Sequence, residues 1–125
     1  MFTDTNSLIS DPNPPIWDKE NALSRLGGDE SILRQIVAIY LKQTDKGFVL
    51  LEEAIKTKKT KDILVYSHAL KGSAANVSAY AFIKIAQKIE NSMKADDLST
   101  VDKDFKDLKK ELQSLVTELS TYVEA

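Results

Sequence analysis

All three prolines of the chain, Pro12, Pro14 and Pro15, fall within its first 15 residues, and the 110 residues that follow contain none. Proline in a helix interior costs about 3 kcal/mol, so a proline-free stretch of that length is open to long uninterrupted helices. The opening segment is rich in Asp, Asn, Ser and Thr as well as proline. Residues 1–15 therefore read as a flexible N-terminal tail or linker, and residues 16–125 as a single all-α domain. No internal repeat divides it.

Helical patterns account for nearly all of the second segment. Asp18 is placed to cap a short helix reaching Leu26, with Gly27-Gly28 as its left-handed stop. A long pattern opens at Asp29 and carries Leu33, Ile36, Val37, Tyr40, Phe48, Leu51 and Ile55 on one side. Gly47 interrupts it, which allows either one bent helix or two in succession. The stretch Lys56–Lys61 holds four lysines and marks a turn, read as a solvated helix end in preference to an anion-docking site. A third pattern covers Lys61–Asn76, with Ile63, Ser67, Leu70, Ala74 and Val77 facing inward. Ser78 is then placed as the cap of a fourth, in which Ala79, Phe82, Ala86, Ile89 and Met93 recur. The last pattern, Val101, Phe105, Leu108, Leu112, Leu115, Leu119 and Tyr122, keeps steps of four and three over three heptads. That spacing suits a coiled coil or a bundle seam. With other apolar helices of matching length close by in sequence, it predicts a monomeric antiparallel four-helix bundle with a short additional N-terminal helix.

Composition excludes several classes of function. Leu, Ile, Val and Phe number 35 of the 125 residues, enough for a real core. The net charge is −2, and residues 16–125 balance at 17 acids against 17 bases. An even balance argues against a nucleic-acid binder, which needs a basic face. The absence of cysteine removes disulfides, thiolate metal sites and cysteine nucleophiles. Met1–Ser10 lacks the basic and apolar regions of a signal peptide, and no apolar run approaches the ~18 residues that span a membrane. The expectation is a cytoplasmic protein with no direct membrane contact.

The functional question turns on the single histidine, His68. A di-iron bundle is excluded because no second histidine exists and Val65 stands where a Glu-x-x-His pair needs its carboxylate. Zinc would need carboxylates for every remaining ligand, so no metal site is expected. Neither a nucleophile-elbow turn nor a phosphate-binding loop is present. At about 100° per residue, His68 points away from the stripe of Leu70, Ala74 and Val77. Its neighbours on the outer face are Leu64, Val65, Lys71, Gly72 and Ala75. Glycine inside a helix costs about 1 kcal/mol against alanine, and Gly72 ends nothing. Its use is space, letting another protein's backbone approach the imidazole. An exposed imidazole is a good nucleophile near neutral pH, and Lys71 one turn along is placed to offset phosphoryl charge. Leu64, Val65 and Ala75 form an apolar surround suited to partner docking.

The stretch Ser67-His68-Ala69-Leu70-Lys71-Gly72-Ser73-Ala74-Ala75-Asn76-Val77-Ser78-Ala79 resembles the signature of histidine-containing phosphotransfer (HPt) domains. That pattern is His-x-Leu-Lys-Gly-small-small, then an aliphatic residue and usually a glycine. Leu23–Asp29 and Ile89-Glu90 are similar to the family as well, so the likeness spans most of residues 16–123. It departs at Ser78, where most members have glycine; local adjustment is expected there. The resemblance implies a four-helix bundle whose exposed histidine takes a phosphoryl group from a receiver-domain aspartate and passes it to another receiver. It implies a phosphocarrier with no cofactor of its own, Mg²⁺ and most of the transfer machinery being supplied by the receiver. The implied partners are response-regulator receiver domains and a hybrid sensor histidine kinase, the chain being free-standing or a domain of such a membrane-anchored kinase. The alternative is a helical adaptor of the same shape that docks receiver domains or other helical partners without being phosphorylated; the intact His68, Lys71 and Gly72 weigh against it.

Overall fold

The computed structural model describes residues 11–125; residues 1–10, most of the expected tail, lie outside the described residues. Those described form five helices and no strand: α1 (Lys19–Arg25), α2 (Glu30–Lys56), α3 (Thr60–Asn76), α4 (Tyr80–Lys94) and α5 (Val101–Glu124). Helix α2 packs on α3, α3 on α4, α4 on α5, and α5 closes back on α2, while α1 lies against α2. Short connections make successive long helices antiparallel. The result is the expected four-helix bundle with its small extra helix.

Local chemistry fixes the helix ends. Asp18 accepts the Asn21 N–H at 3.0 Å to start α1, and Asp29 accepts the Ile32 N–H at 3.1 Å to start α2, caps worth about 1 kcal/mol each. Helix α2 is one continuous element through Gly47. Its glycine serves packing: a Cβ there would lie 3.0 Å from the Leu70 Cδ2 of α3.

Ser78 corrects the sequence reading. The N-cap of α4 is Ala79, which has no side chain to cap with. Ser78 instead ends α3, buried and left-handed at φ +61°. The Ala79 N–H bonds back to the Ala74 carbonyl at 3.1 Å, and the Ser78 N–H to that of Ala75 at 3.1 Å. This is the helix-ending arrangement that usually recruits glycine. A left-handed conformation costs a non-glycine residue about 1–2 kcal/mol. The Ser78 hydroxyl offsets this by accepting from the Arg25 guanidinium at 2.7 Å and donating to Asn21 Oδ1 at 2.8 Å, which ties α1 to the α3–α4 turn. The α4 amide that Ser78 does not reach, that of Ala81, donates to the Pro15 carbonyl at 2.9 Å. Lys58 and Asp96, at φ +54° and +53°, close α2 and α4 in the same left-handed way. The Lys56–Lys61 stretch is thus a helix stop followed by a helix start, with Lys56, Lys58, Lys59 and Lys61 exposed.

The core lies along the bundle axis. Leu33, Val37 and Leu51 meet Ile63, Leu70 and Ala74, then Phe82, Ala86 and Ile89, then Leu108, Leu115 and Leu119, all buried. Ile36 and Tyr122, both expected inward, are half-buried at its rim. The Phe48 and Phe105 rings stack 4.9 Å apart between α2 and α5. The heptad seam of α5 is buried from Val101 to Leu119 within this one chain. No helix among the described residues is long and apolar enough to cross a membrane.

Candidate functional site

Two antiparallel helices bring the site together. The inward stripe of α3 (Ile63, Ser67, Leu70, Ala74) is buried against α4, which turns His68 outward with 68 % of its side chain exposed. From α4, whose core positions include Ala86, Ile89 and Met93, Glu90 projects beside that stripe with only 3 % of its side chain exposed. A carboxylate at such a depth requires partners, and it has them. Glu90 Oε2 lies 2.6 Å from His68 Nδ1, and Oε1 lies 2.5 Å from Lys71 Nζ. Lys71 also donates to Gln87 Oε1 at 2.9 Å, and Gln87 Nε2 donates to Asn91 Oδ1 at 2.8 Å. Lys94 Nζ stands 3.9 Å from Glu90 Oε2.

The electrostatics settle where the imidazole proton sits. Burial pushes the Glu90 carboxyl up. The hydrogen bonds from Lys71 and His68, and the charges of Lys71 and Lys94, outweigh it and hold the group below its ordinary value. Glu90 is therefore ionised near neutral pH and can only accept, so the ring donates from Nδ1. In the neutral imidazole the lone pair then resides on Nε2. A hydrogen bond to a charged group is worth about 1.5–3 kcal/mol net, which is about tenfold to a hundredfold in favour of this tautomer.

The expected site residues are distributed as follows. His68 is exposed, and Lys71 lies beside it but is three-quarters covered, its ammonium turned toward Glu90 and Gln87. Gly72 is exposed, and a Cβ built on it meets nothing within 4 Å. Of the apolar surround, Val65 is 60 % exposed, while Leu64 and Ala75 are half-buried and packed against the core. Glu90, Gln87 and Lys94 were not identified as site residues from sequence. The signal was there for Glu90, since it falls four after Ala86 and three before Met93, on the buried edge of α4. Because the space beside Gly72 is open, Gly72→Ala is expected to stabilise the isolated domain by up to about 1 kcal/mol through helix propensity alone. The urea midpoint measures it.

Comparison with known proteins bears on the fold and the family. The sequence model of the Hpt domain matches residues 35–121. The phosphorelay intermediate protein rdeA of Dictyostelium discoideum is 24 % identical over 119 residues, covering 92 % of this chain. The chain spans about half the length of that relative, 47 % of it. Among solved structures, histidine-containing phosphotransfer protein B of Pseudomonas aeruginosa PAO1 superposes with a TM-score of 0.81. The match covers 90 % of this chain and 97 % of that one at 13 % identity, a likeness of fold. With the family match covering the helix of His68 and the helix of Glu90 alike, the chain belongs to the Hpt domain family.

Proposed function

We propose that this chain is a phosphorelay intermediate that accepts a phosphoryl group on Nε2 of His68 from a receiver-domain aspartate and passes it to another receiver. The observation that carries the reading is the arrangement around one ring: Nδ1 held 2.6 Å from a buried, ionised carboxylate while 68 % of the side chain faces solvent. In acceptance, the Nε2 lone pair forms the bond to phosphorus. The bond from phosphorus to the aspartate oxygen breaks, and its electron pair leaves with the carboxylate. The ring then carries the phosphoryl group on Nε2, a proton on Nδ1 and a positive charge that faces Glu90. Onward transfer is the reverse: the Nε2–P electron pair returns to Nε2, and no proton has to move in either direction. Glu90 is thus a positioning residue for His68, and Lys71 holds Glu90 in place. Mg²⁺ and the aspartate belong to the receiver, so the domain works as a carrier and not as an enzyme in its own right. Its neutral body, with no membrane-spanning helix among the described residues, suits a monomeric cytoplasmic role beside receivers and a hybrid sensor kinase.

The docking surface follows from what the outer face presents. Towards α4, His68 is flanked by Lys71, Gln87 and Lys94. Towards α2, two apolar side chains are exposed: Val65 stands at 60 %, and Leu50 of α2, 41 % exposed, lines a groove with Ala69 and Ser73 of α3. A receiver covering His68 would therefore lean across Val65 on to α2. Burying a valine contributes about 1.5–3 kcal/mol, so Val65→Asp should weaken receiver binding about tenfold or more and leave the melting temperature nearly unchanged. Calorimetric titration of a receiver into both proteins measures this. The carrier chemistry is tested by incubation with a phosphorylated receiver. An acid-labile, base-stable phosphoryl group on this chain is the expected product. Docking without transfer would identify the adaptor instead.

A further inference from the structure

The lysine that meets the phosphoryl group need not be the one nearest the histidine in sequence. Lys71 has three donors, and two are committed, to Glu90 Oε1 and Gln87 Oε1. Its side chain is only 22 % exposed, and its charge is matched at 2.5 Å by that of Glu90. The other cations of α4 are engaged elsewhere: Lys84 donates to the Asp11 carbonyl at 2.7 Å, and Lys88 pairs with Asp104 at 3.3 Å. Lys94 differs from all of these. Its side chain is 60 % exposed, and its sole partner among the described residues is Glu90 Oε2 at 3.9 Å, the same oxygen that holds His68. It makes no hydrogen bond among those residues, so its donors are free beside the ring.

We infer that Lys94 is the cation that contacts the phosphoryl group of phosphorylated His68, and that Lys71 acts at one remove by positioning Glu90. Charge arithmetic supports the division. In the resting site Glu90 is matched by Lys71, leaving Lys94 as the surplus positive charge. Phosphorylation adds a group of about −1.5 to −2 and turns the ring cationic. The ring faces Glu90, and the phosphoryl oxygens face outward, where a mobile four-carbon side chain can follow them. Other charged groups are less well placed. Lys61 shares the outer face of α3 but lies two turns away, and Lys46 of α2 is on a helix that contributes no partner to Glu90.

This inference rests on the carrier reading, and the test separates the two. The domain is phosphorylated chemically with phosphoramidate, so no receiver is needed, and followed by phosphorus NMR across pH. Lys94→Ala should raise the pH at which the phosphoryl group loses its last proton by about half a unit, shorten the phosphohistidine half-life, and leave the His68 tautomer unchanged by nitrogen NMR. Lys94→Arg should restore both values, and Lys61→Ala should change neither. Lys71→Ala should instead disturb the tautomer. An unaltered phosphoryl titration in Lys94→Ala, or one moved equally by Lys61→Ala, overturns the assignment while leaving the carrier reading intact. Failure of the wild-type chain to acquire phosphate on His68 overturns the carrier reading, and the role of Lys94 with it.

Discussion

His68→Gln is expected to abolish phosphoryl acceptance while changing stability by no more than about 0.5 kcal/mol, the range of surface substitutions. The loss is total because an amide has no nucleophilic lone pair to replace that of Nε2, and His68 is the chain's only histidine. The stability is spared because the ring is mostly exposed and its one polar contact is with Glu90. The glutamine amide can donate to the same carboxylate, which in any case keeps Lys71. Transfer from a phosphorylated receiver and thermal melting, measured on the same sample, check both halves. A loss of several kcal/mol would mean that the histidine is structural.

Glu90→Leu is expected to have the next largest effect, slowing phosphoryl transfer by about tenfold or more and destabilising the domain. Two causes act together. The ring loses its bias towards the Nδ1–H tautomer, and the positive charge developing on it in transfer loses a hydrogen-bonded anion worth about 1.5–3 kcal/mol. Lys71, largely covered, also loses its counter-ion, and breaking a buried pair by removing one partner is costly. Glu90→Gln separates these, since its carbonyl can still accept from Nδ1: transfer should fall less than in Glu90→Leu. The pH dependence provides an independent readout. Glu90 has a lowered carboxyl value in the folded state. Its contribution to stability is therefore present above the ordinary carboxylate range and is lost as pH falls through the lowered value. Urea denaturation between neutral and acid pH should show a shallower loss of stability for Glu90→Gln than for the wild type. Parallel slopes would mean that the carboxylate contributes nothing.

The fold was legible because its determinants are local and periodic. The proline-free span, the cap at Asp18, the opening of a long helix at Asp29, and the seam from Val101 to Leu119 each act within one helix, and all appear where the sequence places them. Ser78 was misplaced because serine suits a cap by composition, whereas its actual conformation is set by the sharp α3–α4 turn and by Arg25 and Asn21, more than 50 residues away in sequence. The site divided in the same manner. The outward direction of His68 and the openness beside Gly72 follow from helical position alone. That Lys71 faces Glu90 depends on the rotation of α4 against α3, which a single helical pattern does not specify. Leu64 and Ala75 share a helical face with Val65, yet neighbouring helices cover them more.

With its proton held on Nδ1 by Glu90, His68 is expected to carry phosphate on Nε2. Phosphorus–nitrogen correlation NMR of the domain labelled with ¹⁵N-histidine, phosphorylated by its receiver, tests it most directly. One phosphohistidine signal is expected, with phosphorus coupled to Nε2 and a proton on Nδ1. Attachment at Nδ1, or a receiver that binds and discharges with no phosphorus–nitrogen coupling on this chain, would contradict it.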